Sequence, residues 1–169
     1  KRLFAMDVSS VFTKPELLYF GNYVNWELTS DDKIIVGKSD AYLFYICSSD
    51  GNIIKEFRKD YDPARISPEE REREMGWAEK SAKERIRHME FHKAFHSFTI
   101  DGKDRIIVRT WQKRKGRTDY DYDVFSPEGV YISRFCGKCI IKKWIDGRFL
   151  AVEELPGATS AVKVYELIN

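Results

Sequence analysis

The chain repeats itself. Counting from Gly51 and from Gly129, an isoleucine follows at plus three (Ile54, Ile132) and a phenylalanine at plus six (Phe57, Phe135), and an acid precedes each glycine (Asp50, Glu128). YICSSDGNIIKEF (residues 45–57) and YDVFSPEGVYISRF (residues 122–135) are therefore two copies of one pattern, paired apolar runs hinged on an acidic residue and a glycine. That pattern specifies a β-hairpin.

The repeat extends upstream. DDKIIVG (31–37), KDRIIVR (103–109) and DGRFLAV (146–152) each set a basic residue before a dense apolar run, and each is preceded by a further strand candidate: NYVNWEL (22–28), FHSFTI (95–100) and CIIKKWI (139–145). The unit is four short antiparallel strands. The continuous apolar runs suit strands buried on both faces, whereas the alternating VKVYEL (162–167) suits a strand with one wet face. The basic residues Lys33, Arg105 and Arg148 lie 72 and then 43 residues apart, and about 40 to 45 residues is the length of a four-stranded propeller blade.

The longer interval contains ARISPEEREREMGWAEKSAKERIRHMEFHK (64–93). Ser67, Pro68 and Glu70 make a helix start signal, with Ser at the cap and Glu placed to reach back to the cap amide. Met75, Ala78, Ala82, Ile86 and Met89 then recur on one helical stripe. The pattern predicts a helix from 67 to about 91 clamped on the outside of the sheets, with a partner-docking helix as the alternative. The expected fold is all-β, about three four-stranded antiparallel blades with one helical insertion. Residues 1–21 end a preceding blade, 22–63 form a blade, 64–94 the helical insertion, 95–137 a blade, and 138–169 a last blade whose fourth strand is missing.

The ordered series of the hairpin at Ser39–Tyr42, the Asp-Gly turn, RKDYDP, the charged insertion, FHSFTID, RIIVRT, YDVFSPEGVYISRF and a closing VKVYEL resembles the C-terminal half of bacterial six-bladed β-propeller proteins of the NHL-repeat and TolB-like kind. The resemblance implies a ring completed by blades beyond these three, from the same chain, a second fragment or a second copy. It also implies a periplasmic or cell-surface location. Propeller ligands sit at the channel mouth or on one flat face, which by analogy singles out Tyr23, Trp26, Arg109, Trp111 and Trp144. Trp and Arg dominate interface hot spots because they combine large area with directional donors. The competing expectation is that the tryptophans pack between blades.

Charge and motifs narrow the function. With 29 basic and 27 acidic residues the formal charge is +2, too small for the broad positive field of a nucleic-acid binder. Apolar runs are far shorter than the ~20 residues a membrane helix needs. Nucleophile elbows, phosphate loops, dinucleotide fingerprints and calcium loops do not occur in the sequence, so no catalytic residue and no cofactor is assigned. Asp121 and Asp123 alternate on a strand, where they could pair as acids or bind a cation; a solvated strand face is the expected alternative.

The C-x-x-C pair Cys136 and Cys139 has three readings: unlinked structural thiols at the end of one blade and the start of the next, a short-loop disulfide, or metal and redox work. Cys47 is expected to be buried and inert. His88, His92 and His96 step by four, which on a continuous helix would form one ridge that could join the two cysteines around zinc. With no second pair in the sequence and no contact implied between the two ends, no metal site is assigned. The function expected is a non-catalytic binding or scaffolding module recognising a protein, peptide or glycan by one face. The alternative is part of a propeller enzyme of hydrolase, lactonase or lyase type, with its site mostly in residues not present here.

Overall fold

The computed structural model describes residues 17–19, 24–76, 86–88, 90–111, 119–155 and 159–166. After β1 (Leu17–Tyr19), four strands, β2 (Val24–Leu28), β3 (Ile34–Lys38), β4 (Leu43–Cys47) and β5 (Ile53–Arg58), form the first antiparallel sheet in chain order. A short helix, α1 (Pro68–Met75), and β6 (Ile86–His88) follow. The second sheet is β7 (Phe95–Ile100), β8 (Ile106–Thr110), β9 (Tyr120–Phe125) and β10 (Tyr131–Gly137), again in chain order. The third has three strands among the described residues, β11 (Ile140–Ile145), β12 (Arg148–Leu155) and β13 (Thr159–Glu166). The fold is thus all-β, with antiparallel meander sheets that match the three predicted units and are not closed on one another.

One turn recurs four times and accounts for the sequence repeat. Thr29, Ser48, Asp101 and Ser126 each donate the backbone N–H to the carbonyl four residues on and accept from the N–H three residues on. The residue at that third step is left-handed each time: Asp32 (φ 60°), Gly51 (φ 90°), Asp104 (φ 56°) and Gly129 (φ 76°). Gly and Asp are the residues that tolerate this region. The first side chain fastens the turn: Thr29 Oγ1 accepts from Lys33 N at 2.9 Å, and Asp101 Oδ1 accepts from Arg105 N at 2.9 Å. The phenylalanines at plus six have matching roles as well. Phe57 stacks on Phe44 across β5 and β4 at 5.1 Å, and Phe135 stacks on Tyr122 across β10 and β9 at 5.0 Å.

The core lies between the first and second sheets, where Tyr42, Phe44, Phe95, Phe98 and Phe125 meet. Gly37 makes this packing possible. A Cβ there would stand 2.8 Å from both Phe44 and Phe98, so a bare backbone is what lets two aromatic side chains close over β3. Phe44 also stacks on Phe95 at 4.9 Å and meets Phe98 edge-on at 5.2 Å; such pairs add about 1 kcal/mol beyond the area they bury. The turns are fastened across sheets too, Ser30 N donating to Asp104 Oδ1 at 2.8 Å.

The helical insertion departs from expectation. The capping box forms as predicted: Ser67 N donates to Glu70 Oε2 at 3.0 Å and Glu70 N to Ser67 Oγ at 3.1 Å. The helix, however, ends at Met75, followed by Gly76 in a turn. Ile86–His88 is not its last turns but a strand paired in parallel with Leu17–Tyr19. Glycine is a poor helix former, and a strand partner distant in sequence decides the state of 86–88. Ala78, Ala82 and Met89 of the predicted stripe lie outside the described residues. The insertion closes on a neck in which Ile66 N donates to Glu90 O at 3.0 Å and His92 N to Ala64 O at 2.8 Å.

The first sheet is buried on both faces along β3 and β4, where the neighbours Ile35 and Val36, and Ile46 and Cys47, are all buried, and it exposes apolar side chains on its first strand. On β2 the side chains of Val24, Trp26 and Leu28, which share one side of the strand, are exposed. On β13 the wet face expected from VKVYEL is the valine side: Val162 and Val164 are 73% and 58% exposed, whereas on the other side Ala161 and Tyr165 are half-buried and Lys163 between them is exposed. By contrast, β8 is buried along its whole length. No helix among the described residues is long and apolar enough to cross a membrane.

Candidate binding site

The site is built where β7 starts and β8 ends. Arg109, on β8, is 5% exposed and lies with its guanidinium 5.3 Å from the centre of the Tyr120 ring. Its Nη2 donates to His96 Nδ1. Because guanidinium carries no lone pair to offer, Nδ1 must accept, which fixes His96 as the tautomer with its proton on Nε2. Burial, then the charges of Arg109, Lys93 and Lys142, bring the His96 pKa down to about 3. The ring is therefore neutral and presents an N–H.

Trp111 follows at once. Its indole stacks on His92 at 4.3 Å with an 11° interplanar angle and meets His96 at 4.8 Å. Its Nε1 is buried and has no acceptor among the described residues. Lys93 is 8% exposed, and burial followed by repulsion from Arg109 lowers its ammonium pKa to about 8. From α1, Glu70 Oε2 stands 3.5 Å from His92 Nε2, so the capped helix steadies one wall. The cluster thus gathers Arg109, Lys93 and two imidazoles around the Trp111 indole, with the Glu70 carboxylate behind His92.

The other sequence candidates go elsewhere. Trp26 is 65% exposed on the outer face of β2. Trp144 packs between sheets: the point where a Gly102 Cβ would stand is 2.5 Å from its Nε1, and its ring stacks on Phe149 at 6.1 Å. Tyr23 lies outside the described residues. Of the four described positions, Arg109 and Trp111 come together through His96. His92, Lys93, His96 and Tyr120 join them although the sequence reading gave them no such part. His92 and His96 reach each other through the Trp111 ring rather than along a helical ridge, since β7 begins at Phe95. No group of three or more His, Cys, Asp or Glu able to hold a metal occurs among the described residues.

The aspartates are structural, not a solvated strand face. Asp123 is fully buried and receives Arg134 Nε at 2.8 Å, Lys59 Nζ at 3.0 Å and the Tyr42 hydroxyl at 2.6 Å. Burial alone would raise its pKa; these hydrogen bonds outweigh it and hold the carboxyl below the usual range. Burial, followed by the Asp123 charge, pushes the Tyr42 phenol far up, so that it stays a donor. Tyr42 sits at φ 46°, a costly conformation for a bulky side chain, held by ring contacts to Phe44, Phe95 and Phe125.

Asp121 accepts from Cys136 Sγ at 2.8 Å. Cys136 ends the second sheet and Cys139 precedes the third, as the repeat predicts, and both are free thiols. Cys139 has separate neighbours: its carbonyl accepts from the Tyr122 hydroxyl at 2.8 Å, and burial pushes its thiol pKa up. Cys47 is buried, as expected.

Comparison with known proteins adds no relative: no protein-family model matches the chain, and neither does any curated protein.

Proposed function

We propose that the three sheets are blades of a β-propeller of the six-bladed, NHL-repeat and TolB-like kind, and that the chain is a non-catalytic binding or scaffolding module for a protein, peptide or glycan. The radial reading is supported by the first strands: β7 lies alongside both β2 and β11, and Lys143 on β11 pairs with Glu27 on β2 at 3.4 Å. Further blades, from the same chain or another copy, would cover the apolar outer faces of β2 and β13.

The observation that carries the binding reading is the Arg109–Trp111 cluster, in which an anchored guanidinium and a half-buried indole are held side by side. These are the side chains that dominate recognition surfaces. Asp121 and Asp123, the acids that catalysis would call on, are engaged by Cys136, Tyr42, Lys59 and Arg134. The test is a screen of the immobilised chain against arrays of glycans and peptides of mixed charge. Trp111→Ala should weaken the strongest hits by about tenfold or more. Hits indifferent to Trp111 and Arg109 would overturn the site, and an array without hits would overturn the module.

A further inference from the structure

Independently of the Arg109–Trp111 cluster, we infer that the outer edge of β13 takes an extended peptide of a partner protein as a fourth strand, with an aromatic side chain opposite Val162 and an acid opposite Lys163. The first two sheets show what this edge lacks. In each of them the third strand pairs on both sides, β4 with β3 and β5, and β9 with β8 and β10, whereas β13 pairs among the described residues with β12 alone. The edge of a sheet is a row of backbone donors and acceptors open to another chain, and strand addition to such an edge is a general mode of peptide recognition.

The strand registers carry the equivalence down to single residues. Counted from the basic residues Lys33, Arg105 and Arg148, the step that β4 fills with Phe44 and β9 with Tyr122 falls on Val162 of β13. Phe44 and Tyr122 are buried, each stacked by a phenylalanine directly opposite on the fourth strand, Phe57 and Phe135. Val162 is exposed, and so is Val164, although the matching Ile46 and Val124 are buried. The neighbouring step adds charge. Asp123 of β9 is met across the pair by Arg134 at 2.8 Å, and its counterpart on β13 is the exposed Lys163. Lys163 reaches Glu153 of β12 and, with three donors on its ammonium, has others to offer outward. Opposite charges across a strand pair stabilise it, so the strand that fits brings an acid there. β5 already has that order, with Glu56 next to Phe57.

The test uses the whole chain and a labelled peptide with the sequence of β5 and its turn, GNIIKEFR, titrated by fluorescence anisotropy. It should bind saturably, and replacing its phenylalanine by alanine should weaken binding by about tenfold. Lys163→Glu should weaken binding severalfold, and a peptide with lysine in place of its glutamate should restore it. Single N-methylation at successive peptide positions should alternate between harmful and tolerated, because only every second N–H of an added strand meets the edge. Tolerance at every position would overturn strand pairing, indifference to the phenylalanine would overturn the aromatic step, and no saturable binding would overturn the proposal. Amide exchange of the chain alone should find alternate β13 amides open. Protection of both alternate sets would give the edge to a segment of this chain if the protein is a monomer, and to a second copy if it is a dimer; either result would overturn a partner's peptide.

Discussion

The two faces of the second sheet are built on opposite plans. Toward the first sheet it presents Phe95, Phe98 and Phe125 against Tyr42 and Phe44, and the buried Asp123 has its donors around it. Toward the third sheet it presents Arg109, Tyr122 and the Gly102 turn, met by Trp144 and by backbone at Cys139 and Ile141. One junction surrounds its buried carboxylate with donors; the other sets the Arg109 guanidinium against Tyr120 and His96 and leaves the indole N–H of Trp111 without an acceptor among the described residues. The first plan yields adhesion between sheets, and the second is the junction on which the binding proposal rests.

The contrast can be broken from either side. The largest effect is expected from Phe44→Ala, which empties a site where five other aromatic rings meet and should cost about 4 kcal/mol in denaturant unfolding. A loss under about 1 kcal/mol would mean that the first junction is not the core. Asp123→Ala should cost about 3 kcal/mol, because it leaves Lys59 and Arg134 facing each other across an emptied pocket, and the figure sits at the low end because both cations are partly exposed. Arg109→Met, in the other junction, removes a guanidinium whose neighbours Tyr120 and His96 are neutral without it, and should cost clearly less than Asp123→Ala, which leaves two cations behind. An equal or larger loss would erase the distinction between the two plans.

A subtler difference is expected with pH. The folded His96 pKa is about 3 against an ordinary 6.5, so between those values the unfolded chain takes up a proton that the folded chain refuses. Stability attributable to His96 is complete above pH 6.5 and is lost as pH falls toward 3. His96→Gln should flatten that part of the stability profile; identical profiles would show that the ring is not held neutral by its surroundings. The smallest effect concerns the thiols. Because Cys136 and Cys139 have separate partners, intact mass and alkylation of protein isolated without reductant should show two reactive thiols. A mass lower by two hydrogens, with both sites blocked, would instead establish the disulfide.

Much of the fold was legible because its signals are local. Apolar runs of four or five residues, an acid before a glycine, and a Ser-x-x-Glu box each declare a strand, a turn or a helix start within a few positions. What misled was decided at long range. Ile86 sat convincingly on a helical stripe, yet residues 86–88 pair with 17–19. Asp123 read as a wet residue because its partners Tyr42 and Lys59 are 81 and 64 residues away. The site divides in the same way: Arg109 and Trp111 stood out by type and position, whereas Lys93 and the two histidines acquire their parts only through contact with them. The valines of β13 show a third case, since alternation reveals that a strand has two faces without saying which one is covered.

The four copies of the fastened turn have a consequence for how the chain comes together. Each joins strands adjacent in sequence, and the entropy of closing a loop grows only with the logarithm of its length, so each meander can form almost as soon as it is synthesised. Contacts between meanders come later and at greater cost, because they must draw in segments separated by tens of residues. The hydrogen bond from Tyr42 to Asp123 is such a contact. Its formation marks the moment when independent hairpins become one cooperative body, and pulsed hydrogen exchange should find the turn amides at Gly51 and Gly129 protected before Asp123 is sealed from water.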